Sequence, residues 1–149
     1  MGYYLSAFIG KPEDLKIIVE TYPVSKIVDL AQGLSLVPFT EDLFDQINNF
    51  EVSGNIQSFE YLTTNIEDKI SKLTNGRQIA YVEADYFGGK GGQVGIIWAD
   101  GRRTVQLKYG QDIINAVLKH FGVIAEKERD EFDTLGFGRH RNTVDWIED

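Results

Sequence analysis

Two carboxylates, Glu83 and Asp85, sit two residues apart inside the otherwise apolar run Ile79-Ala-Tyr-Val-Glu-Ala-Asp-Tyr-Phe87. In an extended chain side chains alternate between faces, so the pair shares a face with Ile79, Tyr81 and Phe87, about 7 Å apart at Cα. Two such groups can hold a divalent ion, divide acid and base roles, or offer negative charge to a partner. Carboxylates on an apolar face need neutralising company, and Gly136-Phe-Gly-Arg-His-Arg-Asn-Thr143 carries it in Arg139, His140 and Arg141. His140 can move a proton near neutral pH and the arginines can hold an anion. One reading is therefore a hydrolase or lyase that uses Glu83, Asp85, His140, Arg139 and Arg141. The simpler reading is an ion pair between Arg139 or Arg141 and Glu83 or Asp85 that locks the tail onto the sheet.

A second acidic group, Glu41, Asp42 and Asp45, follows Thr40. Thr40 is an N-cap candidate, Glu41 and Asp42 suit a positive first turn, and Leu43, Phe44, Ile47 and Phe50 recur at helical spacing. The same acids, on the outer side of that helix, suit a basic partner. Gly88-Gly89-Lys90-Gly91-Gly92 tempts a phosphate-loop reading, but Lys90 is followed by glycine and an apolar extended run rather than Ser/Thr and a helix. A hairpin loop is the expectation, with Tyr81, Phe87 and Lys90 joining Glu83 and Asp85 as partner contacts. His120 and His140 are the only histidines, cysteine is absent, and no calcium-loop spacing occurs, so neither a metal site nor a cofactor is expected.

These residues need a scaffold. Ala80, Val82, Ala84 and Tyr86 form a small apolar face that fits under a helix, and Val94, Ile96 and Trp98 share a face of the return arm. Asp100-Gly101 signals a tight turn into Thr104–Tyr109, which makes residues 79–109 an antiparallel meander. Tyr3–Ile9 reads as a first strand. Pro12 opens a helix with Leu15, Ile18, Val19 and Tyr22, and residues 24–30 and 33–39 read as short extended pieces. Thr64-Asn-Ile-Glu67 has capping-box spacing before Ile70 and Leu73, and residues 112–121 form the clearest helix, with Gly122 as its stop. Residues 132–149 hold Phe132, Leu135, Phe137, Val144, Trp146 and Ile147, too much apolar surface to leave in water, so this segment is expected to dock. The expected fold is a single α+β domain over residues 1–149, an antiparallel sheet with helices packed on one face.

The 149 residues carry a formal net charge of −8, and the excess lies entirely in the first part: eleven acids against three lysines up to Asp68, then twelve of each sign. That bias opposes nucleic acid and anionic membranes and favours a basic partner. The chain has no membrane-length apolar run and no basic leader, and the lack of cysteine fits a reducing compartment, so a cytoplasmic location is expected.

Tyr-Val-Glu-Ala-Asp-Tyr-Phe-Gly-Gly-x-Gly-x-Gln in the centre, Tyr-Leu-Ser-Ala-Phe-Ile-Gly-Lys near the start and Asp-Glu-Phe-Asp-x-Leu-Gly-Phe-Gly-Arg-His-Arg near the end resemble a group of small, uncharacterised bacterial proteins. The resemblance implies no catalytic residues. By analogy of class alone, small acidic α+β proteins include immunity proteins that neutralise bacterial toxins. The functional expectation is a non-enzymatic binding protein that presents its acids to a basic protein partner.

Overall fold

The alternation read along residues 79–87 organises the structure. A computed structural model describes residues 2–149. Six strands form one antiparallel sheet: β1 (Gly2–Gly10), β2 (Val28–Asp29), β3 (Ser35–Pro38), β4 (Gln78–Phe87), β5 (Lys90–Ala99) and β6 (Arg102–Gly110), in the spatial order β2-β3-β1-β4-β5-β6. The helices are α1 (Pro12–Thr21), α2 (Glu41–Asn48), α3 (Thr64–Lys72), α4 (Ile113–His120) and α5 (Glu131–Leu135), followed by 3-10 turns at Phe137–Arg139 and Thr143–Glu148.

The α+β class stands, but the layering differs from the expectation of helices on one face. Ala80, Val82 and Ala84 pack with Leu5, Ala7, Ile9, Ile97, Ile114, Val117, Leu118, Leu135, Phe137 and Trp146. On the opposite face Ile79 and Tyr81 pack with Phe8, Val94, Ile96 and Trp98 beneath Leu15, Ile18, Leu43, Ile47, Ile66 and Ile70. Thus α1, α2 and α3 cover one side while α4, α5 and the docked tail cover the other. The cause is in the central strands themselves, which are apolar on both faces and would leave one wet if only one layer were present.

Local signals explain most boundaries. Pro12 occupies the first turn of α1. Thr40 Oγ1 accepts from Leu43 N at 3.2 Å, as its position before two acids suggests. At α3 the cap is one residue earlier than the capping-box spacing indicates: Thr63 Oγ1 accepts from Ile66 N at 3.2 Å. Glu67 is thereby released from the cap and accepts from the indole Nε1 of Trp98 at 2.9 Å and from Arg103. Burial raises the Glu67 carboxyl, but the hydrogen bonds from Arg103 and Trp98 outweigh it and hold the group below its ordinary range.

The glycine segment is a tighter turn than the expected five-residue loop. Gly88 (φ 61°) and Gly89 (φ 77°) form the two-residue connection, and Phe87 already pairs with Lys90. Gly91 and Gly92 belong to β5 for steric reasons. A Cβ on Gly91 would strike the Asp85 carbonyl, and one on Gly92 would enter the ring of Tyr109, which lies over that backbone. The exposed edge β6 carries Arg102, Arg103 and Lys108, charges that discourage edge-to-edge pairing.

Candidate functional site

β3 pairs with β1 only from Ala7 to Gly10, so the other half of that β1 edge is open to the tail. Residues 141–143 fill it. Tyr4 N donates to the Arg141 carbonyl at 2.8 Å, Tyr4 bridges Asn142 in parallel, and Ser6 N donates to Thr143 Oγ1 at 2.9 Å. The expected docking of the carboxyl-terminal segment takes this form, with Phe137 and Trp146 buried in the α4 side of the core.

Beside this junction a groove of about 910 Å3 crosses the sheet face that bears Glu83. Its floor follows the strand register: Tyr4 lies opposite Asp85, Asp85 opposite Gly92, Ser6 opposite Glu83 and Glu83 opposite Val94. The amino-terminal turn of α2 and the loop 58–61 form its walls, with Asn142, Thr143, Val144 and Ile147 from the tail and Tyr109 from β6. Six lining residues are acidic, namely Glu41, Asp42, Asp45, Glu60, Glu83 and Asp85, and none is lysine, arginine or histidine. Among the described residues, none of the six forms a salt bridge. The lining also holds three partly open tyrosines: Tyr4 at 38%, Tyr61 at 47% and Tyr109 at 60% exposure. Burial first, then the nearby Glu60, Glu83 and Asp85 charges, raise the Tyr61 hydroxyl pKa.

The six acids are not equivalent. Glu83 is only 7% exposed and is consumed by the protein itself. Its Oε1 accepts from Glu60 N at 2.6 Å, and its Oε2 accepts from Tyr61 N at 3.0 Å, Leu62 N at 3.2 Å and Tyr81 Oη at 2.7 Å. Burial pushes the Glu83 carboxyl up, and these four donors pull it back part of the way. Chemically this is an anchor that fixes the loop 60–62 to the sheet. Glu41, Asp42, Glu60 and Asp85 are exposed and Asp45 half-buried, so these five face whatever enters.

The sequence-derived residues therefore divide. Glu41, Asp42, Asp45, Glu83 and Asp85, from segments about forty residues apart, converge on one groove. Tyr81 does not contact solvent: it is fully buried among Phe8, Phe39 and Phe59, where its hydroxyl serves Glu83. Phe87 and Lys90 are exposed at the hairpin tip, outside the groove. The expected meeting of Arg139, His140 and Arg141 with Glu83 and Asp85 does not occur. Arg139 and His140 both engage Asp149, at 3.2 and 2.9 Å, and Arg139 also donates to the Asp29 carbonyl and stacks on Trp146. The hydrogen bond to His140, with the charges of Arg139 and Lys26, keeps the Asp149 carboxyl below its ordinary range. Arg141 serves the sheet through its main-chain carbonyl. Three main-chain amides and the Tyr81 hydroxyl satisfy the Glu83 oxygens by hydrogen bonding, so the buried carboxylate is paired without an arginine.

Sequence reasoning missed Tyr4, Glu60 and Tyr61 in the groove. Tyr4 alternates with Leu5 on a strand and so carries a facing signal, whereas the loop carrying Glu60 and Tyr61 has no period to read. Among the described residues no group of three or more His, Cys, Asp or Glu is placed to hold a metal ion, and no helix is long and apolar enough to cross a membrane. No protein-family model, curated protein or solved structure matches the chain.

Proposed function

We propose that the chain is a non-enzymatic binding protein whose acidic groove receives a basic protein partner, in the manner of an immunity protein acting in the cytoplasm. The observation that carries this reading is the lining itself: five open carboxylates, Glu41, Asp42, Asp45, Glu60 and Asp85, with no lysine, arginine or histidine among them, interleaved with Tyr4, Tyr61 and Tyr109. A monomer that gathers like charge at one place bears their mutual repulsion, and a cationic partner relieves it. The tyrosines supply what charge alone lacks. Their rings offer large, rigid contact area and attract cations through the π face, and tyrosine and arginine dominate binding energy where partners meet. Charge complementarity also speeds encounter and rejects acidic competitors.

The test is capture from native lysate with tagged wild-type protein and with an Asp42→Asn/Asp85→Asn variant of unchanged fold. A stoichiometric basic protein held by wild type at about 50 mM salt, released near 500 mM and lost in the variant supports the reading. Equal capture by both proteins removes the groove from the interaction.

A further inference from the structure

Resting on that reading, the geometry points to the part of the partner that enters: an extended segment of about six residues bearing arginine or lysine, lying across the strands. The register sets the length. Asn142, Tyr4, Asp85 and Gly92 form one transverse row, and Tyr109 closes it over Gly92. Four inter-chain steps of about 4.8 Å make the row about 19 Å long, and an extended chain at about 3.3 Å per residue covers it with roughly six residues. The groove of about 910 Å3 runs along this row, since all five of these residues line it, and the amino-terminal turn of α2 and the loop 58–61 wall it as a trough for a chain of that length.

The lining fits such a chain along its course. Tyr4 and Tyr109 stand toward the two ends, and Tyr61 with Glu60 and Asp85 flanks the middle. Glu41, Asp42 and Asp45 on α2 supply charge along one wall. Guanidinium groups suit this surface better than ammonium groups, because a planar fork takes a carboxylate with two hydrogen bonds and stacks on a tyrosine ring. Glu83 stays outside the exchange as the anchor of the loop wall.

The test is fluorescence anisotropy with labelled, end-capped Arg-Ala-Arg-Ala-Arg-Ala and its lysine counterpart. Beside them run a lactam-bridged helical 13-residue peptide with three arginines on one face, and free spermine as competitor. Wild type is compared with Glu60→Gln/Asp85→Asn in the groove and with Glu13→Gln/Glu20→Gln on α1, which changes net charge equally but outside it. Urea midpoints confirm that all three are folded. The inference expects saturable binding of the extended arginine peptide, weakened by about tenfold or more in the groove variant and by less than about twofold in the α1 variant. It also expects the lysine peptide to bind more weakly. Equal weakening in both variants, or tighter binding by the helical peptide, overturns the extended-segment inference, and the second result leaves the groove reading intact. Spermine displacing the peptide at equal concentration reassigns the groove to a small cation and overturns the inference. Binding by neither peptide at millimolar concentration overturns both.

Discussion

Glu83→Gln separates the anchoring of the 60–62 loop from the negative charge of the groove. In wild type Oε2 accepts three hydrogen bonds and Oε1 accepts the shortest, from Glu60 N at 2.6 Å. A glutamine keeps most of these by placing its carbonyl oxygen at the Oε2 position. Its amide NH2 then meets Glu60 N, donor against donor. One charge-assisted hydrogen bond is lost, worth about 1.5–3 kcal/mol, and a main-chain amide must turn to water or stay unpaired, at about 1–3 kcal/mol. Against this, removing a charge from a site where only 7% of the residue is exposed recovers part of its desolvation cost. The net expectation is a loss of about 1–3 kcal/mol, read as a lower urea midpoint with an unchanged slope. Hydrogen exchange locates the loss: the amides of Glu60, Tyr61 and Leu62 exchange at least about tenfold faster, while α4 amides change only as global stability does. A stability change under about 0.5 kcal/mol, or unchanged protection at those three amides, refutes the anchor.

Four further outcomes are expected. Because burial raises the folded-state pKa of Glu83, the folded protein holds that proton more tightly than the unfolded chain. The stability of wild type relative to Glu83→Gln therefore falls as pH rises from the ordinary carboxyl range through the raised value, and urea titrations across that range check the sign. Gly91→Ala forces a Cβ against the Asp85 carbonyl, which sits in fixed backbone, so a loss of at least about 2 kcal/mol is expected from chemical denaturation. Thr143→Val removes the acceptor of Ser6 N and loosens the tail beside the groove, costing about 1–2 kcal/mol in the same assay and exposing residues 141–147 to faster exchange. Asp42→Asn/Asp85→Asn relieves repulsion, so its melting temperature at low salt equals or exceeds that of wild type, and the difference shrinks as salt is added.

The alternation along Ile79–Phe87 placed each β4 residue on its proper face, Thr40 and Pro12 marked helix starts, and Asp100-Gly101 marked a turn, all from the sequence alone. Each is a local property: a side chain's face follows from a period of two, and a cap or turn from the backbone preferences of a few adjacent residues. Local patterns also placed the α3 cap one residue late, because Thr63 and Thr64 are both competent caps and nothing local separates them; with Thr63 as the cap, Glu67 meets Trp98 and Arg103.

The groove belongs to the other category. That Glu83 and Asp85 share a face was legible; that Glu83 is spent on three main-chain amides while Asp85 remains free was not. An arginine is visible as a letter and invites pairing, whereas every non-proline residue owns an N–H, so the sequence does not mark which amides will converge on a carboxylate. The meeting of α2 with β4, and of Tyr4 with residues 141–143, likewise depends on strand order. A two-residue β2 and a four-residue β3 leave half of the β1 edge unpaired, and the tail that fills it decides where the groove begins. The sequence by itself determined that the chain carries its excess acid in the first part; only the packing of both faces of the sheet decided that four of those carboxylates, with Glu83 and Asp85 from the second part, would line a single groove with no lysine, arginine or histidine.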